Sequence, residues 1–152
     1  MGFEETLKQG CYCLELQSDT KRGIIEEMVD LLVAGGKVDK RKRAAVLEAV
    51  LAREEKISTG LQAGVAVPHG KTDAIGGLVA AMALKKQGVD FEALDGEPSR
   101  IFVMTVSSPL RAGPHMEYLA EISRLLNSAA VRERVLAAES ADELVEILTT
   151  AC

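Results

Sequence analysis

Aromatic residues make up only 3% of this 152-residue chain, and there is no tryptophan. A core must therefore be built from Val, Leu, Ile, Ala and Met. The same scarcity argues against a surface on which unpaired bases could stack. Cysteine is scarce too. Cys11, Cys13 and Cys152 do not make an even disulfide framework, and two histidines in the whole chain leave a metal site short of ligands. Cys11 and Cys13 would point to one face of a strand, and a reduced, structural role is expected for all three. Long hydrophobic runs are absent. The cleanest one, residues 78–84, is far shorter than the ~20 residues that span a bilayer. Glu4 and Glu5 stand near the N-terminus with no apolar segment behind them, which does not fit a secretory leader. An excess of positive charge is also missing. A formal charge of −5 disfavours binding to nucleic acid or insertion at an anionic membrane. The single basic run, Lys40-Arg41-Lys42-Arg43, opens a predicted helix and reads first as a solvated helix face. These exclusions point to a cytoplasmic globular protein.

With 47% hydrophobic and 27% charged residues, the chain has an ordinary globular balance. Its length suits one domain, 1–152, able to bury roughly two-thirds of its unfolded surface. No repeat, linker or low-complexity segment breaks it. Residues 14–16 alternate and suggest a short edge strand. Ser18, Asp19 and Thr20 are candidate caps for a helix carrying Ile24, Met28, Leu31 and Leu32, stopped at Gly35-Gly36. Asp39 can cap a second helix with Val46, Leu47, Val50 and Leu51, running out near Glu55. Residues 64–67 read as a short strand ending at Pro68. The apolar runs 78–84 and 101–106 fit strands buried on both faces, and Asp95-Gly96 between them is a turn signal. Gly113-Pro114 starts a helix with His115, Leu119, Ile122 and Leu126 on one face. Val131 and Val135 mark a short helix, and Ser140 to Glu143 is a capping box for a last one. The order implies an α/β domain, a mixed sheet between helical layers.

Both histidines lie beside Gly and Pro. His69 sits in Val67-Pro68-His69-Gly70-Lys71. Pro68 fixes the local backbone, and Gly70 removes a side chain so that a bulky group can approach. An imidazole with an ordinary pKa of about 6.5 is mostly neutral at physiological pH and offers a nucleophilic lone pair. His115 falls in the first turn of its helix, where an anion is favoured. Arg53, at the end of the second helix, offers a planar fork of donors suited to phosphate. Ser58, Thr59 and Gly60 offer hydroxyls and N–H groups to an anion. No nucleophile elbow, Walker loop or dinucleotide fingerprint is present. Residue chemistry alone thus stops at an α/β domain with two suggestive histidines.

Three stretches carry a resemblance. They are residues 53–71, which include Arg53, Ser58, Thr59, Pro68 and His69; residues 89–98, with Asp95-Gly96; and Gly113-Pro114-His115-Met116 with the helix behind it. Together they resemble the EIIA component of the bacterial sugar phosphotransferase system, fructose/mannitol type, a family that includes a nitrogen-regulatory branch. The chain departs from the pattern at Gln62-Ala63, where Gly-Asn is common. The resemblance implies a mixed sheet flanked by helices on both sides. It implies that His69 accepts a phosphoryl group on Nε2 from phospho-HPr or an HPr-like carrier and passes it to a cysteine of an EIIB domain, with no cofactor. Arg53 would steady the phosphate, with Ser58 and Thr59 beside it, and His115 would line the same pocket and donate a hydrogen bond. Leu61, Val65, Ile75 and Met116 are candidates for the apolar surface that partners share. In the regulatory branch, the phosphorylation state would instead set binding to target proteins.

Overall fold

The computed structural model describes residues 2–151. A first helix, α1 (Phe3–Gln9), is too short for a hydrophobic period to announce it. The edge strand is β1 (Cys11–Cys13), not the alternating stretch 14–16. After Cys13 the chain leaves the ladder and keeps a backbone tie, the Leu16 N–H donating to the Leu84 carbonyl at 2.9 Å. Cys11 and Cys13 both join the same core cluster, and both thiols are free. Cys152 lies outside the described residues.

The two expected helices follow. Helix α2 (Lys21–Ala34) is capped by Thr20, whose hydroxyl accepts the Gly23 N–H at 3.1 Å. Asp39 caps a single 3-10 turn, Lys40–Lys42, and α3 (Arg43–Lys56) continues from it. The basic run therefore straddles this entry, and Arg43 is drawn back to Asp30.

Four more strands complete the sheet: β2 (Val65–Ala66), β3 (His69–Lys71), β4 (Leu78–Val89) and β5 (Ser99–Ser107). Their order is β1-β4-β5-β2, with β3 also pairing β5. β4 and β5 are antiparallel, and β1, β2 and β3 run parallel to their partners. β4 outlasts its apolar run because Lys85 is buried there, donating to the Leu16 carbonyl at 3.2 Å. The register with β5 then shifts between Leu84 and Val89, a stretch in which Gly88 takes φ 82°.

Side chains alternate across each strand, and β5 shows the result. Phe102, Met104 and Val106 face the α2–α3 core. Ile101 and Val103 face the opposite core, which holds α4 (Ala112–Leu126), α5 (Ala129–Leu136) and α6 (Ala141–Ala151). The architecture is the expected mixed sheet flanked by helices on both sides. Helix α4 begins earlier than expected, so Pro114 is its third residue, still in the turn where its missing N–H costs nothing. Ser140 caps α6 through the Glu143 N–H at 3.1 Å, while the Glu143 carboxylate reaches past it to the Glu139 N–H at 2.9 Å.

Gly70 has a different task from the expected one. Pleating turns it away from the His69 face, and a Cβ there would meet the α3 backbone, 3.0 Å from the Val50 nitrogen and 3.1 Å from the Ala49 carbonyl carbon. The glycine lets α3 sit directly on β3. Gly70→Ala should therefore cost about 1–3 kcal/mol through overpacking; an unchanged urea midpoint would refute that contact. Ala63 takes φ 62°, a left-handed conformation that strains an alanine by about 1 kcal/mol or more. This accounts for Gly or Asn being common near this loop position. Ala63→Gly should raise the urea midpoint, and a fall would mean the turn stores no strain.

Candidate functional site

Parallel pairing sets His69 opposite Thr105 and Lys71 opposite Ser107. All four side chains project to one face of the sheet, the face that also carries Ile101 and Val103. Along that row of β5 the apolar residues give way to two hydroxyls, and these meet His115 from α4. His115 is 0% exposed. Its Nε2 lies 2.7 Å from Thr105 Oγ1 and its Nδ1 lies 2.7 Å from Ser107 Oγ. A neutral imidazole has one donor and one acceptor, and two hydroxyls satisfy both. Burial first, and then the neighbouring His69 and Lys71, push its pKa down to about 4. His115 is therefore an uncharged, fully occupied group, and the expected hydrogen bond to a phosphate would require it to give up a hydroxyl partner.

The two imidazoles meet edge to face, with centroids 5.7 Å apart. His69 is half-buried, and its Nδ1 lies 2.8 Å from the Val67 carbonyl oxygen. A carbonyl only accepts, so Nδ1 must carry the proton. In the neutral ring the lone pair then belongs to Nε2. Burial lowers the pKa of His69. The Val67 carbonyl opposes that, the positive charge of Arg53 reinforces it, Glu54 opposes, and Lys71 reinforces. His69 thus sits in a strand as a neutral ring of one tautomer, not in a turn.

Arg53 is not the last residue of its helix. It lies one turn before the end, and its Nη1 donates to the Ile57 carbonyl at 2.8 Å, which closes the helix terminus. The rest of the guanidinium fork has donors to spare. The two hydroxyls expected beside the phosphate are engaged elsewhere. Ser58 Oγ donates to the Phe91 carbonyl at 2.7 Å. Thr59 is buried, with its N–H donating to Glu54 Oε2 at 2.7 Å and its hydroxyl to Glu54 Oε1 at 2.5 Å. These residues shape the loop and offer no free hydroxyl in this state.

Sequence reasoning passed over three participants. Thr105 and Ser107 left a signal, two hydroxyls spaced by two at the end of the apolar run that begins at Ile101. Glu54 left none, since a helix-end glutamate usually faces water. Among the apolar surface candidates, Met116 is 59% exposed, Val65 is core at 3%, and Leu61 and Ile75 are half-buried against the two cores. Leu110, unremarked in the sequence, is 93% exposed just ahead of α4.

Comparison with known proteins fits this geometry. Residues 5–151 match the family described as phosphoenolpyruvate-dependent sugar phosphotransferase system, EIIA 2. The chain is 38% identical over 135 residues to a fructose-specific EIIA component of Haloferax volcanii, covering 89% of this chain and 86% of that protein. It is 36% identical over 148 residues to a fructose-specific EIIABC component of Bacillus subtilis, covering 97% of this chain but 23% of that larger protein. Among solved structures, nitrogen regulatory protein IIA-Ntr of Neisseria meningitidis superimposes with a TM-score of 0.86 at 29% identity, over 95% of this chain and 97% of that one. A complex of enzyme IIAMTL with phosphorylated enzyme IIBMTL of Escherichia coli gives 0.75 at 25% identity, over 99% and 97%.

The buried imidazoles carry a pH signature. An unfolded histidine binds its proton near 6.5, whereas His115 does so only near 4. Between those values the unfolded chain holds more protons, so stability falls as pH drops through that window. At full extent this is on the order of 3 kcal/mol, and the lowered pKa of His69 adds in the same direction. Urea unfolding from pH 7 to pH 4 should show this loss, and a His115→Gln variant should show a flatter slope. Parallel curves for the two proteins would count against it.

Proposed function

The chain belongs to the EIIA 2 family of the phosphoenolpyruvate-dependent sugar phosphotransferase system, and on that premise we propose that it is a cytoplasmic phosphocarrier charged at His69. The donor is phospho-HPr or an HPr-like carrier, and the acceptor is an EIIB domain. The observation that carries this reading is the hydrogen bond from His69 Nδ1 to the Val67 carbonyl, which commits one ring nitrogen and leaves Nε2 as the nucleophile.

The transfer follows from that tautomer. The Nε2 lone pair attacks phosphorus while the donor's P–N bond breaks, and that electron pair returns to the donor ring. Because Nδ1 keeps its proton against Val67, the phosphorylated ring is cationic. In the onward step an EIIB cysteine thiolate attacks phosphorus, and the group that leaves is neutral imidazole, a far better leaving group than the imidazolide anion. Phosphoryl transfer asks mainly for alignment and charge stabilisation, and the free donors of Arg53 supply the latter. His115 bounds the pocket as a neutral wall and holds its own place through Thr105 and Ser107. Among the described residues no helix is long and apolar enough to cross a membrane, so a membrane-bound sugar permease would be reached through EIIB.

A second reading has support of its own, the likeness to the nitrogen regulatory protein of Neisseria meningitidis. There His69 would be charged in the same way, and its added charge would switch binding to target proteins. The two readings share the chemistry and differ in the acceptor.

Intact-mass measurement after incubation with phosphoenolpyruvate, Enzyme I and HPr, at mildly basic pH, tests the shared part. One acid-labile phosphoryl group is expected on the wild type and none on His69→Ala. Labelling that survives His69→Ala would remove the assignment. Arg53→Lys should slow transfer roughly tenfold to a hundredfold, since a point charge does not replace the fork. Discharge by an EIIB domain would favour transport over regulation.

A further inference from the structure

Glu54 is an unusual residue for a helix end: a carboxylate only 6% exposed. Burying a carboxylate costs several kcal/mol unless it is paired and hydrogen-bonded, and here it is both. Lys21, at the start of α2, lies 3.0 Å from Oε2. Thr59 supplies its N–H and its hydroxyl. What this carboxylate holds is the loop that carries the chain toward His69.

The loop itself has little slack. Its residues pair with β2 as a short antiparallel ribbon: Gly60 stands opposite Ala66, the Leu61 N–H donates to the Val65 carbonyl at 2.7 Å, and the Val67 N–H donates to the Thr59 carbonyl at 3.0 Å. On its far side a Cβ at Gly60 would lie 2.9 Å from the Ala93 Cα and 3.0 Å from the Phe91 oxygen. Ser58 is tied to Phe91, and the Leu94 N–H donates to the Gly60 carbonyl at 3.1 Å. The loop is thus clamped between Glu54 and residues 91–94, so a shift at Thr59 must be passed on to Val67.

We propose that Glu54 is a positioning residue for His69: its carboxylate accepts the Thr59 N–H, the Thr59 carbonyl accepts the Val67 N–H, and the Val67 carbonyl accepts the imidazole Nδ1–H. The carboxylate touches neither the ring nor the phosphoryl group. It fixes where the Val67 carbonyl stands, and that carbonyl selects the ring tautomer. Lys21 is the counter-charge that faces the carboxylate, and it is steadied in turn by Glu92 at 3.3 Å and by the Phe91 ring, whose centroid lies 5.0 Å away. The functional consequence rests on the phosphocarrier reading above, whereas the tautomer does not.

Two-bond 1H–15N correlation of the imidazole in the unphosphorylated protein reads the tautomer directly. The wild type should show Nδ1–H with an unprotonated Nε2. Glu54→Ala should move a measurable fraction of His69 to the Nε2–H form and slow phosphoryl acceptance from HPr by roughly tenfold to a hundredfold, the scale expected for a misplaced reacting group. Glu54→Gln, which keeps the shape but loses the charge facing Lys21, should give a smaller shift in both readouts. Thr59→Val should act in the same direction and Thr59→Ser should restore the wild-type spectrum. Should Glu54→Ala fail to fold, Glu54→Gln and Thr59→Val decide the matter. A wild-type tautomer ratio in the folded variants overturns the proposal, even where transfer is slowed. A wild type that takes no phosphoryl group, with variants that still shift the tautomer, would leave the relay standing and remove the phosphocarrier reading.

Discussion

The register between β3 and β5 is the constraint on which the site depends. Parallel pairing of His69 with Thr105 puts the imidazole on the same face as the two hydroxyls that hold His115. A slip of one residue would exchange faces. His69 would then turn toward α3, and the glycine that lets α3 approach β3 would be replaced by a ring. The fold protects this register from both sides. The large apolar residues Phe102 and Met104 are committed to one core, and Ile101 and Val103 to the other. The position of the His69 imidazole is thus specified by hydrophobic burial along the whole of β5, well beyond the two or three residues around the histidine.

Electrostatics at the site follow from the same placement. Both imidazoles are held neutral, His115 by burial between two hydroxyls and His69 by partial burial beside Arg53 and Lys71. A positive charge near a neutral ring is an unspent attraction. It disfavours a proton on the ring but favours an anionic group arriving there. A neutral imidazole and cations beside it therefore arise from one arrangement. The Val67 carbonyl then decides which nitrogen keeps its lone pair, because it can accept a hydrogen bond but cannot donate one.

Much of the fold was readable from local pattern. The α2 and α3 periodicities, the two apolar central strands, the Ser140 cap and the three-layer arrangement all rest on interactions within a few residues or on a simple alternation. What local pattern misplaced has identifiable causes. Strand β1 ends before the alternating residues that suggested it, since pairing with β4 selects the segment. β4 runs on through charged residues because Lys85 finds backbone carbonyls in the interior. His69 lies in a strand because β5 was there to pair with it. Gly70 serves the helix above it, a fact invisible without α3 in place.

His69 with its flanking Pro and Gly, His115 at a helix start and Arg53 near a helix end were all evident as residue types, and the family resemblance joined them. The sequence by itself thus determined the chemistry available: two imidazoles, a guanidinium near a helix end and a core made of aliphatic side chains. Only the tertiary structure decided which ring nitrogen is free, that His115 is sealed behind Thr105 and Ser107, that the Ser58 and Thr59 hydroxyls already have partners, and that Glu54 is buried. The first rests on Val67, two residues from His69 and held in place by the Thr59 loop; the others depend on partners from other segments, up to dozens of residues away. Composition and spacing record what a side chain can do, but a hydrogen bond already made, or a charge already paired, exists only once distant segments have been packed together.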